Sequence, residues 1–380
     1  MESNNKVFKE KLTEAISKLN KKDFTINFFV IDTKGVANGN TRFIYETAKD
    51  LIDNGYRCNM LYQQEKETFE VIENGKKIQR EQDVPFIGVR EWMGDDYADI
   101  PHGSIGNENI KVSTSDFLII PEIFANVMNQ TKKLPCKRII LCQNLNYITE
   151  FMQLGSSWSD FGIIDVITTT KIQEEEIKEL FPYMHTKLIN PAIPSYFRNN
   201  SNPKKLAIAV VIKDSSKLKK LVNQFFWKYP QYRWITFMDL KNLPRELFAD
   251  TLRESAITVW VDDETYFGQA PVEAIKSGSI VIGKIPETIP EWMWNEDKTD
   301  MSTNGLWFND FKDVHKLIAQ AIKLWMDDQI PSIITDEMVK MNDKYSKEQK
   351  EEQTLSVIKE LIEERIEELK VVINKIETQE

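Results

Sequence analysis

The chain has 380 residues with 49 Lys and Arg against 59 Asp and Glu, a formal net charge of −10, which excludes a broad nucleic-acid-binding face because phosphate contacts need a concentrated basic surface. With 41% hydrophobic and 28% charged residues it has the balance of a globular protein, and its length asks for two cores rather than one. The polar start, Met1 to Lys22, holds no apolar leader segment and no run reaches the roughly 18 apolar residues of a membrane span, so a cytoplasmic location is expected.

Along the chain, short apolar runs alternate with longer amphipathic stretches, the pattern of strands alternating with helices. The first half offers strands at Ile26 to Ile31, Cys58 to Tyr62, Pro85 to Val89, Phe117 to Pro121, Arg138 to Cys142, Asp165 to Thr169 and Lys187 to Asn190. Most are apolar on consecutive positions, as parallel strands covered on both faces should be. Between the first two, Phe43, Ala48, Leu51 and Ile52 recur at helical spacing and Gly55 supplies a stop, which completes a βαβ unit. Prolines and asparagines then gather in Pro191 to Pro203, where an interdomain linker is expected. Strands resume at Leu206 to Ile212, Arg233 to Met238, Ala256 to Val261 and Ser279 to Gly283, with helices over Ser216 to Lys228, Pro244 to Arg253 and Ala270 to Ser277. The reading is α/β: two Rossmann-like, doubly wound domains facing a cleft, over 1–195 and 203–345, then a long helix over 346–380. Open sheets of this kind bind ligands outside the carboxyl ends of their strands.

Cys58, Cys136 and Cys142 are too scattered for a disulfide framework, and His102, His185 and His315 share no metal-ligand spacing, so neither a structural metal nor a cofactor is expected. His102, near Gly103 and Gly106, reads as a loop histidine. Lysines cluster from Lys204 to Lys220, most simply as a solvated face.

Two glycine-containing turns stand before helices. The first, Asp32 to Asn40, carries Gly35, Val36, Asn38 and Gly39 and reads either as a tight turn or as a loop whose N–H groups approach an anion. It lacks the G-x-G-x-x-G spacing, and Tyr62 and Gln63 stand where an acidic residue would hold a nicotinamide cofactor's ribose. The second runs from Glu264 and Thr265 through Phe267, Gly268, Gln269, Ala270, Pro271 and Glu273 to Gly278. Pro271 suits a first helical turn and Gly268 a sharp bend before it. The N–H groups of Gln269 and Ala270 are then left free to meet a diphosphate at the positive end of the helix. Glu273 reads as a helix-start charge or as a carboxylate for two vicinal hydroxyls.

This segment, E-x-x-F-G-x-x-x-x-E-A-x-x-x-G before an apolar strand, resembles the C-terminal domain of GT-B glycosyltransferases related to retaining family 4, whose usual E-x-F-G is here one residue longer. The resemblance implies a glycosyltransferase acting on a nucleotide-sugar donor, with Glu273 on the ribose hydroxyls, Lys213 and Lys217 on the diphosphate, and retention of anomeric configuration without a metal. The family's sugar-contacting glutamate falls on Thr265, with Glu264 one place earlier, so either fills the catalytic position. The family's acceptor-side histidine is replaced in Leu141-Cys142-Gln143-Asn144, which passes that role to Gln143 and Asn144. The acceptor is left open among glycan, small molecule, protein and modified nucleic acid. Alternatives are a phage-type DNA-modifying glycosyltransferase, an inactive sugar-binding or scaffolding relative, and a nucleotide-sugar epimerase.

From Leu355 to Ile376 isoleucines and leucines recur near a 3.5-residue period. A helix from Lys347 to Ile376 would run about 45 Å. It is expected either to pack back on its own domains or to form a homo-oligomer.

Overall fold

The computed structural model describes residues 16, 18–73, 76–105, 112–199, 203–212, 214–241 and 243–376. Lys213, one of the expected donor lysines, and Gly106 lie outside them. The chain divides into two compact units, one running to Ile167 and taking in Phe181–Lys187 and the chain from Glu351, the other made of Thr168–Leu180 and Leu188–Lys350.

The first unit is built on a sheet ordered β5-β2-β1-β6-β7-β8-β9. Its strands are β1 (Thr25–Phe29), β2 (Arg57–Tyr62), β5 (His102–Ser104), β6 (Phe117–Pro121), β7 (Lys137–Cys142), β8 (Asp165–Thr168) and β9 (His185–Leu188). β1 pairs in parallel with both β2 and β6, so the order reverses between β1 and β6. Ile26, Phe28, Leu118, Ile120, Ile139 and Leu141 are all buried, which is why these strands read as unbroken apolar runs. Helix α1 (Gly39–Asp53) buries Phe43, Ala48 and Leu51 and is capped by Asn38, whose Oδ1 accepts the Thr41 N–H at 2.9 Å.

Three expectations for this unit change. Pro85 to Val89 is a turn, because the N–H groups of Ile87 and Gly88 donate to the Asp32 carboxylate at 2.9 and 3.0 Å instead of to a neighbouring strand. His102 is not in a loop: it lies on β5, where its Nε2 is 2.7 Å from the Tyr45 hydroxyl. An antiparallel hairpin, β3 (Lys66–Glu73) with β4 (Lys76–Asp83), occupies a stretch whose polar residues gave no strand signal.

The second unit carries a parallel sheet ordered β11-β10-β12-β13-β14. The strands are β10 (Lys205–Ile212), β11 (Phe237–Asp239), β12 (Ser255–Val261), β13 (Ile280–Lys284) and β14 (Leu306–Phe308). Helices α2 (Lys171–Leu180), α3 (Ser215–Lys228), α4 (Arg245–Glu254), α5 (Gln269–Lys276) and α6 (Val314–Met326) belong to the same unit. Two clusters of buried side chains, one around Trp260, Val272 and Met293 and the other around Val210, Phe225 and Ile318, form its core. The expected linker is not a free tether: Phe197 is fully buried, and the Ile193 N–H donates to the Tyr345 carbonyl at 2.8 Å.

The C-terminal helix α7 (Lys347–Ile376) is counted with the first unit from Glu351 onward rather than as a separate segment. Val357, Ile358, Leu361 and Ile362 are buried. Lys187 meets Glu360 and Glu364 at 2.7 and 2.8 Å, and Lys137 meets Glu368 at 2.5 Å. Val357, Ile358, Leu361 and Ile362 therefore pack within the chain, and Val371 and Val372 near the helix end stay exposed. No helix among the described residues is long and apolar enough to cross a membrane.

Candidate functional site

The second sheet changes direction between β10 and β12, and the loops leaving the carboxyl ends of those strands are where a ligand is expected. The loop after β12 runs through Asp262, Asp263, Glu264, Thr265 and Phe267 into α5. Gly268 caps that helix with φ of +68°, a left-handed conformation that costs glycine little. A methyl group there would come within 3.2 Å of Pro271 Cγ and Trp260 Cζ2. The Thr265 hydroxyl accepts the Gly268 N–H at 2.8 Å, and the Phe267 carbonyl accepts the Trp292 indole N–H at 2.5 Å. The turn is thus held from both sides. The N–H groups of Gln269 and Ala270, at the first two helical positions, donate to no acceptor among the described residues.

The far end of α5 closes as expected, with the Ser279 N–H on the Ala274 carbonyl at 3.0 Å and the Gly278 N–H on Ile275 at 2.8 Å. Glu273 differs from the expectation. It lies in the second turn of α5, not the first, and is 1% exposed. Both of its oxygens accept from the terminal nitrogens of Arg245 at the start of α4, with Nη1 at 2.9 Å from Oε2. Arg245 is packed over the rings of Phe197 and Phe248, at 4.4 and 5.4 Å to their centroids, and donates to the Tyr196 hydroxyl at 3.3 Å. Burial alone would lower the guanidinium pKa, but the Glu273 charge and its hydrogen bonds outweigh it and the net shift is upward.

Asp263 gathers the basic groups of this end of the sheet. Lys217, on the first turn of α3, lies 3.3 Å from its Oδ2, and Lys284, the last residue of β13, pairs with its Oδ1. Burial would raise the Asp263 pKa, and the two lysines overcome it and hold the carboxyl below its ordinary value. Asp262 and Glu264 flank Asp263 in the same loop, and Asp214 caps the helix that carries Lys217, so the two lysines offset acids at these strand ends. Lys284 and Arg245 were not legible as site residues, since nothing local in their segments separates them from surface cations. Glu264 is exposed, and its N–H is 3.4 Å from Asp262 Oδ1.

In the first unit, the corresponding reversal brings the loops after β1, β6 and β7 to one end of the sheet. Val36 is 61% exposed, Gly35 takes a φ of +77° against the Glu91 carboxylate, and Gly39 opens α1 behind Asn38. The Gln143 side-chain amide donates to the Asn40 carbonyl at 3.0 Å, tying the loop after β7 to the start of α1. The Asn144 N–H donates to Glu122 Oε1 at 2.8 Å. Glu122 follows β6 directly, is buried, and keeps Oε2 without a hydrogen-bond partner. Burial pushes its carboxyl up to about 7, against the N–H groups of Glu122, Gln143 and Asn144. Sequence reasoning missed it; a lone carboxylate directly after an apolar strand was the available signal.

Two α/β units on parallel sheets, with a long C-terminal helix, are the GT-B architecture of glycosyltransferases, and the solved structures that this chain resembles share it. The pneumococcal O-GlcNAc transferase GtfA in complex with UDP and GlcNAc superposes with a TM-score of 0.60 at 10% identity, over 90% of this chain and 99% of that one. Anabaena HepE in complex with UDP-glucose gives 0.58 at 10% identity, over 88% and 99%. In sequence the chain is similar to an alpha-1,6-glucosyltransferase of Actinobacillus pleuropneumoniae serotype 7 (strain AP76), 22% identical over 226 residues, 58% of this chain and 67% of that protein. No family model matches the chain.

Proposed function

We propose that this chain, a glycosyltransferase by its fold and its distant sequence relative, transfers a sugar from a uridine diphosphate donor bound by the second unit, in the manner of retaining family 4. The carrying observation is the Thr265–Ala270 turn, which presents two unpaired N–H groups at the positive end of α5 in the unit where Lys217 and Lys284 collect charge. A diphosphate is stabilised there by hydrogen bonds, by the helix dipole and by the lysines, and the same groups meet the charge that develops as it departs. In this reading the helix end and the lysines take the place of a metal. Lys213 follows β10 in sequence and joins the set.

In this reading the ribose hydroxyls bond to Glu273 through the lone pairs that a carboxylate retains beyond its bidentate contact with Arg245. Thr265 holds the turn through its hydroxyl, which leaves Glu264 to contact the sugar. Gln143 and Asn144 form the acceptor side, and Gly35, Val36, Asn38 and Gly39 contribute the loop above α1. The similar protein named for alpha-1,6-glucosyl transfer makes UDP-glucose the first donor to test. Titration calorimetry with UDP and UDP-glucose should give saturable binding that weakens in Gly268→Val. Turnover should survive EDTA and give an α-configured product by NMR. No binding of any nucleoside diphosphate would refute the reading, and binding without turnover would make the chain a sugar-binding relative.

A further inference from the structure

The lysine-rich stretch seen in the sequence continues into a surface that the donor site does not use. From Ser215 to Met238 the chain contains Lys217, Lys219, Lys220, Lys228 and Arg233 and not one aspartate or glutamate, within a protein of net charge −10. Lys217 is engaged by Asp263; Lys219, Lys220, Lys228 and Arg233 form no ion pair among the described residues. Lys228 instead places its ammonium 5.6 Å over the Tyr229 ring.

On α3, Leu221 and Phe225 point into the core. Lys220, Asn223 and Trp227, spaced as i, i+3 and i+7, share the opposite, exposed stripe. Trp227 is 73% exposed, and Trp234, in the turn that follows the helix, is 60% exposed. Indoles this open are unusual, because each forgoes the burial of a large apolar side chain. His315, at the start of α6, is buried near this stretch; burial lowers its imidazole pKa, backbone hydrogen bonds oppose the shift, and Lys228 and Lys220 add to it. The acids beside it, Asp310 and Asp313, are already paired to Lys312 and Lys316 at 2.7 and 3.0 Å.

We propose that this face of α3 and the turn after it docks the protein on the surface of an anionic phospholipid bilayer. Indole rings partition to the headgroup level, with the ring in the apolar boundary and the N–H in the wet layer. Unpaired lysines beside them are drawn to anionic headgroups within about a Debye length. A neutral glycan would use the indoles but gain nothing from four unpaired cations. A single-stranded nucleic acid would use the charge, yet its bases need aromatic faces laid along a groove, whereas Trp227 stands on a helix face and Trp234 on a turn.

The test is co-sedimentation of the full chain with phosphatidylcholine vesicles and with equimolar phosphatidylcholine and phosphatidylglycerol vesicles at low salt. Binding to the anionic vesicles alone is expected, falling as salt is raised. K219Q/K220Q should weaken it by about 25-fold, at about fivefold per lysine. W227A/W234A should remove both the binding and the quenching of tryptophan fluorescence by bromine-labelled lipid chains. Unchanged melting temperatures in both variants exclude unfolding as the cause. Absence of binding to anionic vesicles, equal binding by the variants, or lysine-dependent binding of an oligothymidylate in place of vesicles would each overturn the proposal.

Discussion

Replacing Glu273 by alanine is expected to lower the melting temperature and the donor affinity together. The carboxylate is 1% exposed and receives both terminal nitrogens of Arg245, which is itself clamped over Phe197 and Phe248. Breaking a buried pair by deleting one partner costs about 3–5 kcal/mol, because the other charge is left unpaired. Arg245 keeps 22% of its side chain exposed, so water takes up part of that charge and about 2–3 kcal/mol is expected. In a unit of this size each kcal/mol moves the midpoint by about 2–4 °C, which gives a fall of about 4–12 °C. A helix-start carboxylate in water, the sequence-level alternative, would cost only about 0.3–1 kcal/mol. Loss of two charge-assisted bonds to ribose adds a drop in UDP affinity of about a hundredfold. The assay is thermal melting without ligand, with UDP calorimetry on the wild type, Glu273→Ala and the double variant Glu273→Ala/Arg245→Met. The double variant should recover much of the melting temperature but none of the affinity. A single variant melting within about 2 °C of wild type refutes the ion-pair argument, and a double variant with wild-type affinity refutes the ribose role.

Gly268→Ala places a methyl against Pro271 and Trp260 in a left-handed conformation and should cost about 1–2 kcal/mol in melting experiments, with weaker UDP binding; an unchanged midpoint would show that the turn tolerates a side chain. Lys284→Gln removes one of the two cations on Asp263, whose depressed pKa contributes stability that is present above the unfolded value and lost as pH falls through the folded one. This variant should therefore show a smaller stability difference between neutral and acid pH than wild type, with reduced UDP affinity. Glu122 has the opposite sign. Its carboxyl is raised from 4.5 to about 7, so the native state binds the proton more tightly, and stability falls as pH rises through that window and stays low above it. Glu122→Gln should be more stable than wild type at pH 8, by up to about 3 kcal/mol, with the advantage disappearing near pH 4; denaturant midpoints at the two pH values check it. Truncation after Ser356 removes Val357, Ile358, Leu361 and Ile362 and unpairs Lys187 and Lys137 from α7. At about 1.5–3 kcal/mol per buried aliphatic side chain, loss of soluble protein is expected, and a truncated chain that melts like the full one would show that the helix serves association instead.

Much of the fold was legible because its signals are local. Phe117 to Pro121 and Lys347 to Ile376 match the observed strand and helix at both ends. Parallel strands buried on both faces stand out as apolar runs, and Gly268, Pro271 and Gly278 carry the cap chemistry of α5 within a few residues. The β3–β4 hairpin was not legible: β4 is exposed along its whole length, so no apolar alternation marks it. The Pro85 to Val89 run misled for the converse reason, since its N–H groups are taken by Asp32, distant in sequence.

By itself the sequence determined the alternation of strand and helix, the glycine turn before α5 and the N–H groups that turn leaves free, because backbone propensity and capping depend on near neighbours. Only the tertiary structure decided that Glu273 is buried against Arg245, 28 residues away, and that Asp263 is shared by Lys217 and Lys284. It also decided that α7 lies with the first unit and that Trp227 and Trp234 remain in solvent. These outcomes depend on which strands become neighbours in the sheet, a choice made by the packing of the whole core, and a charge meets its partner only after that choice has been made.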